Sequence, residues 1–368
     1  MKTIYLTPGP SQLYFTAEEH ILRGLRQGVG SISHRSAEFQ GIYSHTVEQL
    51  RLLLDIPPEY AVVFLSSANA VWERLLQNCV QECSFHWVNG AFSHKFFSFA
   101  KQLGLSSLSH TVEWGEGFVF DDPTIGQAAE LHAVAFNETS TGVQLPLDAL
   151  LALRKRYPDT LLAVDATSSV PMLHVPVQET DSVYFSVQKG FGMPAGLGVW
   201  VLSPRAVERA AAKEKAGHST GTYRRLPALV KQSAAAQTPE TPNVLGIYLL
   251  GKICEDLNNK GIATVRRETD YKAALLYDAL ERHPLLEPAV REKPWRSKSV
   301  IVARIKSPAL AAGRWVSCLE SKGLAIGKGY GKQSDGFLRF ANFPTHSKEL
   351  FEFLVDCLND VKEDTTLL

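Results

Sequence analysis

Short apolar runs alternate with amphipathic stretches over residues 61–202. The runs are almost continuously apolar, which is the pattern of strands buried on both faces of a sheet. They predict strands at 61–65, 84–88, 131–136, 161–164, 182–187 and 198–202. Apolar positions at helical spacing between them predict helices at 70–80, 94–103 and 147–157. This alternation predicts an α/β fold with a mostly parallel sheet, whose ligands gather at the carboxyl ends of the strands.

The pattern changes after residue 205, where a polar stretch leads to a proline-punctuated loop at 237–242. The elements predicted beyond it are helices at 244–257 and 265–282, strand-like runs at 299–305 and 336–341, and a closing helix at 347–362. We therefore predict a large α/β domain at 15–245 and a smaller α+β domain at 246–368, which residues 1–14 join.

Composition and charge narrow the function classes. The 368 residues carry 38 basic and 38 acidic side chains without a basic stripe or an acidic tail. Nucleic acid and membrane surfaces are therefore poor candidates as partners. The first residues lack the apolar core of a secretory signal, and no apolar run is long enough to span a bilayer. We expect a cytoplasmic protein that acts on small molecules.

The five cysteines are odd in number and scattered, which does not indicate a disulfide framework. Cys79 and Cys83 stand at i and i+4 with His86 close by, a spacing that metal ligands on a helix also have. No second pair completes a tetrahedral site, and small apolar packing residues show the same spacing. We expect no metal site.

The most informative chemistry follows the predicted strand 182–187. Lys189 comes directly after this strand and precedes the glycine-rich segment 190–198. A lysine ending a buried strand is costly while charged, and a covalent link to an aldehyde cofactor neutralises it. Asp165 ends another buried strand and is the usual type of partner for a pyridinium nitrogen. Lys189 and Asp165 together predict a pyridoxal 5′-phosphate enzyme with these two residues as its catalytic groups.

Both residues also have a structural interpretation. Lys189 and its glycines suit a tight hairpin between two strands, and a lysine at a strand end is commonly a solvated rim residue. Asp165 suits a helix N-cap or a turn. In the functional interpretation, the glycines after Lys189 let the backbone approach a bulky planar ligand closely.

The cofactor phosphate needs backbone amides at a helix start together with polar side chains. Ser67, Ala68 and Asn69 lie between a predicted strand and a predicted helix, which is the required context. Further donors to the phosphate are expected from three residues, the last two of them from another subunit: Gln188, Gln237 and Thr238.

Four more residues are candidates for contacts with the cofactor or the substrate. Phe92 follows a predicted strand and suits stacking on the cofactor ring, although a lone aromatic residue is more often part of a core. Thr139 suits a contact with the ring hydroxyl. Arg35 and Arg339 are candidates for a substrate carboxylate or phosphate, which a guanidinium binds bidentately. Arg339 alternates into an otherwise apolar strand, where a buried ion pair is the competing interpretation.

With these residues in place, the chain resembles the class V aminotransferases, and most closely the phosphoserine aminotransferase family. The matching segments are residues 7–10, 33–39, 136–139, 165–169, 188–189 and 238–242. The similarity covers nearly the whole length, and Gln188-Lys189 and the proline loop are its more discriminating parts.

The resemblance implies fold-type I of pyridoxal phosphate enzymes, a homodimer with active sites at the subunit interface, and transamination between phosphoserine and 2-oxoglutarate in serine biosynthesis. It implies that Lys189 carries the cofactor and that Asp165 pairs with the ring nitrogen. The remaining roles that it implies are ring stacking by Phe92, contact with the ring oxygen by Thr139, phosphate binding by Gln188 with the neighbour's Gln237 and Thr238, binding of the substrate α-carboxylate by Arg339, and contact with the substrate side chain by His34 and Arg35.

The chain departs from that family at three places. The family has a His-Arg pair shortly before the strand of Arg339, where it helps to bind the substrate phosphate. Residues 327–334 contain no such pair, and only Lys328 and Lys332 remain there as point charges. The phosphate cradle lacks the usual glycines, and Phe92 stands where the family usually has a tryptophan.

Three other functions stay open. The first is a class V aminotransferase for a small non-phosphorylated amino acid, of the alanine–glyoxylate or serine–pyruvate type. The second is a desulfurase-type lyase, which usually has a histidine where this chain has Gln188. The third is a catalytically silent binding protein, against which the presence of both Lys189 and Asp165 argues.

Overall fold

The computed structural model describes residues 3–120, 125–307, 311–331 and 334–363. Its strands are β1 Ile4–Tyr5, β2 Ala61–Leu65, β3 Ser84–Val88, β4 Leu108–Thr111, β5 Leu131–Ala135, β6 Asn137–Glu138, β7 Val143–Gln144, β8 Leu161–Asp165, β9 Ser182–Ser186, β10 Gly198–Leu202, β11 Leu286–Pro288, β12 Val300–Ile305, β13 Leu324–Ala325, β14 Gly327–Lys328 and β15 Phe337–Ala341.

The helices cover the sheets and connect their strands. They are α1 Ala17–Arg26, α2 Ala37–Leu54, α3 Ala68–Cys79, α4 Ala91–Gln102, α5 Leu147–Arg156, α6 Pro204–Lys215, α7 Leu226–Ala234, α8 Val244–Lys260, α9 Ile262–Arg282, α10 Ala312–Ser321 and α11 Lys348–Glu363. Within the described residues, no helix is long and apolar enough to cross a membrane.

Seven strands form the main sheet, in the order β2-β10-β9-β8-β5-β3-β4. Strands β9, β8, β5, β3 and β4 run parallel to one another, whereas β10 is antiparallel to both β2 and β9. The predicted α/β fold with a mostly parallel sheet is confirmed, and all six strands predicted over residues 61–202 are present within a residue or two of their ends.

The main sheet is buried on both faces because its strands are apolar at successive positions. Along β2, Val63 and Leu65 pack in one core with α3, whereas Val62 and Phe64 pack in the opposite core. Tyr184 of β9 lies in the first core and its neighbour Phe185 in the second. Two layers of helices therefore hold the sheet, and the carboxyl ends of its parallel strands share one edge.

A second, antiparallel sheet has the order β11-β12-β15-β14 and packs against α9, α10 and α11. Its core contains residues between Ala273 and Val361 together with Leu6. Strand β1 pairs in parallel with β13, and Leu6 packs in the core of the small sheet. The N-terminal segment therefore begins against the small sheet, and the chain then continues into the large domain. Helix α8 packs on α2 in the core of the main sheet. The predicted domain boundary at 245/246 stays a prediction.

Candidate active site

Lys189 lies in the segment that connects the antiparallel strands β9 and β10. This segment, residues 187–197, is folded over the sheet edge, and it is longer than a tight hairpin. Lys189 is only 7% exposed, and its Nζ donates to Thr139 Oγ1 at 2.9 Å. The same nitrogen lies 5.2 Å from the centroid of the Phe92 ring. Lys189 is thus an inward-facing residue and not a solvated rim residue.

Burial lowers the pKa of the Lys189 ammonium from its ordinary value to about 8, with Arg339 acting in the same direction. Asp165 and Glu138 oppose this shift because their negative charges stabilise the ammonium. A lysine with a pKa near 8 is about one-tenth unprotonated at pH 7, far more than an ordinary lysine. The unprotonated amine is the form that acts as a nucleophile or a base.

Asp165 is the last residue of β8 and lines the same cavity as Lys189. Its Oδ1 accepts from the backbone N–H of Thr167 at 2.9 Å, which makes a local turn and not a helix cap. Burial raises the pKa of its carboxyl above the ordinary value, and the Thr167 hydrogen bond and the Lys189 charge oppose that rise. The carboxylate is therefore held beside the cavity, close enough to a lysine for the two charges to interact.

The cavity has a volume of about 230 Å³ and lies at the carboxyl edge of the main sheet. Its polar lining residues are Asn69, Asn137, Thr139, Asp165, Thr167, Ser186, Gln188, Lys189, Tyr330 and Arg339. Pro8, Gly9, Trp72, Phe92 and Ala135 provide the apolar part of the wall. The large sheet, the small sheet and the N-terminal segment all contribute to one site.

Arg339 reaches the cavity from β15 of the small sheet. Its Nε donates to the Lys328 carbonyl at 2.7 Å, and its guanidinium carbon lies 5.4 Å from the Tyr330 ring centroid. In the part of the chain that the structure describes, no carboxylate forms an ion pair with this guanidinium. Burial lowers its pKa, with no ion pair to compensate. The guanidinium thus keeps donors for an anionic ligand, and the described residues do not support the buried-ion-pair interpretation.

Of the three residues predicted to form the phosphate cradle, Ser67, Ala68 and Asn69, only Asn69 lines the cavity. Asn69, in the first turn of α3, lines the cavity. The Ser67 hydroxyl accepts from the Ala70 amide as the cap of this helix, and the Ala68 amide donates to Ser186 Oγ at 2.8 Å. Asn69 is thus the cradle residue that faces the cavity, whereas Ser67 and Ala68 hold the turn in place.

Four other predicted site residues lie together, away from this cavity. Arg35 is exposed, and its Nη1 donates to Gln237 Oε1 at 2.8 Å. Thr238 lines a separate cavity of about 240 Å³ beside the Arg224–Glu240 ion pair. His34 directly precedes Arg35. Within a single chain, this group does not reach Lys189.

Three of the four glycines after Lys189 serve the protein's own packing. A Cβ on Gly198 would lie 2.5 Å from the Ser67 carbonyl carbon, so β10 and the turn before α3 approach each other at this point. Gly190 and Gly192 similarly face protein atoms. The prediction that these glycines admit a planar ligand is wrong for all three. The fourth, Gly196, has open space where a Cβ would lie, so the prediction of close ligand approach stays a prediction there.

Comparisons with known proteins agree with this geometry. The aminotransferase class-V family profile matches residues 121–334. The phosphoserine aminotransferase of Rhodococcus opacus is 30% identical over 86% of this chain and 84% of its own length. The crystal structure of a phosphoserine aminotransferase from Cytophaga hutchinsonii is 40% identical, with a TM-score of 0.94 over 97% of this chain and 98% of that one. An alanine–glyoxylate aminotransferase from Nostoc shares the fold at 21% identity, with a TM-score of 0.86 over 98% of this chain and 95% of that one.

The chain belongs to the class-V aminotransferases. It is therefore a transaminase that depends on pyridoxal phosphate. The resemblance to this family, the enzyme class and the cofactor predicted from the sequence are confirmed.

The cavity of this class-V aminotransferase contains a buried polar atom that a bound cofactor would satisfy. Asn137 is 4% exposed and lines the cavity, yet its Oδ1 has no hydrogen-bond partner among the described residues. Its Nδ2 donates to Ser168 Oγ at 2.8 Å, which fixes the amide orientation. A buried acceptor without a partner is costly, so this oxygen is suited to a donor on a bound group.

Sequence reasoning missed several residues of the aminotransferase site. Ser168 lies beneath Thr139 and accepts from its hydroxyl at 2.9 Å, so the Thr139 oxygen presents a lone pair to Lys189. Tyr330 packs between Phe92 and Arg339, with its ring centroid 5.0 Å from that of Phe92. Asn137 and Ser168 lie in segments 136–139 and 165–169, whose resemblance to the family could have pointed to them. Nothing in the sequence near Tyr330 indicates that it contacts Phe92.

Lys328 and Lys332 are the point charges that remain where the family has its His-Arg pair. The Nζ of Lys328 lies against Gly313 of α10, and Lys328 does not line the cavity. Lys332 lies outside the described residues. Among the described residues of segment 327–334, Tyr330 lines the cavity and no cationic side chain does.

Proposed function

We propose that this aminotransferase transfers the amino group between phosphoserine and a 2-oxo acid, with 2-oxoglutarate and glutamate as the second pair. The observation that carries this proposal is the 40% identity to the Cytophaga phosphoserine aminotransferase over 97% of the chain. The curated relatives named phosphoserine aminotransferase, at about 30% identity over most of the length, support it as well.

In the proposed site, Lys189 carries the cofactor and Asp165 pairs with its ring nitrogen. Phe92 lies against the ring face, Thr139 contacts the ring oxygen, and Gln188 and Asn69 bind the phosphate. Bound pyridoxal phosphate supplies an electron sink for the bonding pair that the substrate Cα releases. Burial raises the pKa of the Asp165 carboxyl, and a protonated ring nitrogen beside it would oppose that rise and keep the carboxylate charged.

Lys189 is also the group that moves the proton. When it is not bonded to the cofactor, its Nζ would take the proton from the substrate Cα and hold it for return to the substrate or to the bound group. Its pKa of about 8 is close to the operating range of such a base. Thr139, held by Ser168, accepts a hydrogen bond from this nitrogen and limits its position.

Arg339 is proposed to bind the substrate α-carboxylate, since its guanidinium is buried without an ion-pair partner among the described residues. Lys189 and Arg339 are the cationic residues in the described lining of the cavity. A substrate phosphate then needs cations from elsewhere. We assign this role to His34 and Arg35 of a second copy of the chain, whose Gln237 and Thr238 would contact the cofactor phosphate.

One observation favours a second candidate. A cavity with a single free guanidinium among its described lining residues suits a small monocarboxylic amino acid, as in an alanine–glyoxylate or serine–pyruvate aminotransferase. This alternative keeps the cofactor chemistry and changes only the substrate.

The test is a half-reaction on the cofactor-loaded protein. Glutamate, phosphoserine, alanine and serine are added separately, and the visible absorbance of the lysine-bound cofactor is followed. We expect glutamate and phosphoserine each to abolish this absorbance in the parent protein. The Lys189→Ala variant should show no such change with either amino acid. Loss with alanine or serine and not with phosphoserine would transfer the assignment to the second candidate.

We also propose that the enzyme works as a homodimer in the cytoplasm. The dimer is supported by the separation of Arg35, Gln237 and Thr238 from the cavity of their own chain. The cytoplasm is supported by the five cysteines, all of them free thiols, which fit a reducing compartment.

A further inference from the structure

Glu138 is a fully buried carboxylate in the motif that also contains Asn137 and Thr139, and the proposed mechanism leaves it without a role. Its relative exposure is 0%. Oε2 accepts from the Ser93 backbone N–H and from Ser93 Oγ, both at 2.9 Å. Oε1 accepts from Ser140 Oγ at 2.7 Å, from the Ser140 N–H at 3.1 Å and from the Phe92 N–H at 3.4 Å. Among the described residues, no cation pairs with it.

These contacts place Glu138 at the N-terminus of α4, which begins at Ala91. The first amides of a helix lack partners within the helix, and a carboxylate there satisfies them and interacts favourably with the helix dipole. Gly90 permits this approach, because a Cβ on Gly90 would lie 2.4 Å from Glu138 Cγ. The Ala91 amide is satisfied by Ser140 Oγ at 2.9 Å, which itself donates to Glu138.

The clamp formed by Glu138, Ser93 and Ser140 connects two walls of the cavity. On one side it fixes the start of α4, from which the Phe92 ring lies 5.2 Å from Lys189 Nζ. On the other side, Glu138 is covalently next to Thr139, whose hydroxyl accepts from the same nitrogen at 2.9 Å. A shift of Glu138 therefore moves both groups relative to Lys189.

We propose that Glu138 is a positioning residue that holds Phe92 and Thr139 at fixed places on either side of the Lys189 amine, and so sets the geometry in which the cofactor is bound. It touches neither cofactor nor substrate. This inference rests on the proposed function, since Lys189 must be the lysine that carries the cofactor.

The charge of Glu138 provides a readout that packing alone does not. Three charged groups act on the Lys189 nitrogen: Asp165 from β8, Glu138 from β6 and Arg339 from β15. Glu138 raises the pKa of the free Lys189 amine, and its negative charge would stabilise a proton on the same nitrogen when that nitrogen is linked to the cofactor. Replacing Glu138 by a neutral residue should therefore lower the pH at which this nitrogen loses its proton. Asp165 and Arg339 are still present when Glu138 is replaced, so their effects on the Lys189 nitrogen are the same in both proteins.

The chain contains a matched control at the opposite end of β5. Glu130 accepts from the backbone N–H groups of Gln81, Glu82 and Cys83 at 2.8, 2.7 and 3.1 Å. It precedes β5, whereas Glu138 follows it, and five strand residues separate the two ends by about 17 Å. Glu130→Gln therefore removes the same kind of interaction far from the cavity.

The experiment compares Glu138→Gln and Glu130→Gln as full-length proteins. Cofactor affinity is measured by equilibrium titration of the apoprotein with pyridoxal phosphate, and the pH midpoint of the visible absorbance is measured on the loaded protein. We expect Glu138→Gln to weaken cofactor affinity by about tenfold, the size of a lost helix-capping interaction, and to lower the pH midpoint. Glu130→Gln changes neither quantity.

A double-mutant cycle with Phe92→Leu tests the route of the effect. If Glu138 acts through Phe92, the two losses of affinity are not multiplicative in Glu138→Gln/Phe92→Leu. Thermal unfolding of each apoprotein records the general loss of stability. Equal losses of stability in both glutamine variants, with unchanged affinity and midpoint, would overturn the proposal.

Two further variants keep the outcome decisive. If Glu138→Gln does not fold, Ser140→Ala removes one hydrogen bond of the clamp and must weaken cofactor affinity in the same direction, and an unchanged affinity overturns the proposal. Lys189→Ala separates this inference from the proposed function. If the visible absorbance persists in Lys189→Ala, the assignment of the cofactor lysine fails, whatever Glu138→Gln shows.

Discussion

Two buried lysines of this chain show why burial alone does not make a catalytic group. Lys272 is 1% exposed, and burial lowers its pKa to about 7, as far below the ordinary value as that of Lys189 or further. Its Nζ donates to the Phe343 and His346 carbonyls at 3.0 and 2.8 Å, and it lines none of the cavity. Lys189 instead lines a cavity that Asp165 also lines. The two lysines therefore differ in access to a ligand and not in burial.

The lowered pKa of Lys189 predicts how cofactor attachment depends on pH. The amine must be unprotonated to attack the aldehyde, so the attachment rate to the apoprotein should rise with pH and level off above about 8. Stopped-flow absorbance after mixing with pyridoxal phosphate measures this rate. A rate that keeps rising steeply to pH 10, as for an exposed lysine, would show that Lys189 is not the attacking group.

Asp165→Asn tests the partner of the ring nitrogen. The substitution keeps the shape and the hydrogen bond from the Thr167 amide but removes the charge. We expect the half-reaction with glutamate to slow by at least about a hundredfold, the size of a lost electrostatic contact in an active site. The unfolding free energy should change by only about 1 kcal/mol, because a buried carboxylate with a raised pKa gains little from its charge. Full half-reaction rates in this variant would remove Asp165 from the mechanism.

At the scale of elements, the site depends on the close approach of β10 to the turn that starts α3. Gly198→Ala places a Cβ 2.5 Å from the Ser67 carbonyl carbon, so that the turn must move. Overpacking of this kind costs about 2 kcal/mol, and the displaced Asn69 should also weaken cofactor binding. Urea unfolding and cofactor titration measure the two effects.

Gly41→Ala is the matched control for that variant. Gly41 lies within α2, and a Cβ there meets nothing within 4 Å. Alanine in a helix is more favourable than glycine, so this protein should be slightly more stable than the parent, with unchanged cofactor affinity. Equal behaviour of the two variants would mean that the contact at Gly198 has no effect on the site.

The sequence predicted those elements whose apolar pattern is long and regular. The six predicted strands of the main sheet, β2, β3, β5, β8, β9 and β10, are almost entirely buried and mostly apolar, so their positions follow from the pattern. The edge strand β4 has the polar, partly exposed sequence Leu108–Thr111, and the pattern did not predict it. Strand β1 has two residues and pairs with β13 across most of the chain, and no local pattern encodes such a contact. The antiparallel direction of β10 also depends on the whole sheet and not on its own residues.

The residues of the site also fall into those that the sequence predicts and those that depend on the folded chain. Lys189, Asp165, Thr139, Phe92 and Arg339 were predictable because each stands beside a strand with a residue type that its chemistry requires. The role of Glu138 was not, because it depends on where the first turn of α4 meets β6 in space. The contact of Tyr330 with Phe92 likewise joins segments from the two sheets.

At the scale of the whole molecule, the proposed dimer makes a prediction by complementation. Lys189→Ala removes the cofactor lysine of its own site, whereas Arg35→Ala is proposed to impair the site of the other chain. When the two inactive variants are unfolded together and refolded, half of the dimers are mixed, and each mixed dimer has one intact site. We expect about a quarter of the parent activity. If Arg35 acted within its own chain, each of the two sites in a mixed dimer would lack one residue, and the mixture would stay inactive.

The assignment of the cofactor to Lys189 is the claim on which every role in this site depends. Borohydride reduction of the loaded protein fixes the cofactor to its lysine, and peptide mapping by mass spectrometry then locates it. We predict the added mass on the peptide that contains Lys189 and none on the peptide that contains Lys272. Labelling of Lys272, or of any lysine outside the cavity, would contradict the account.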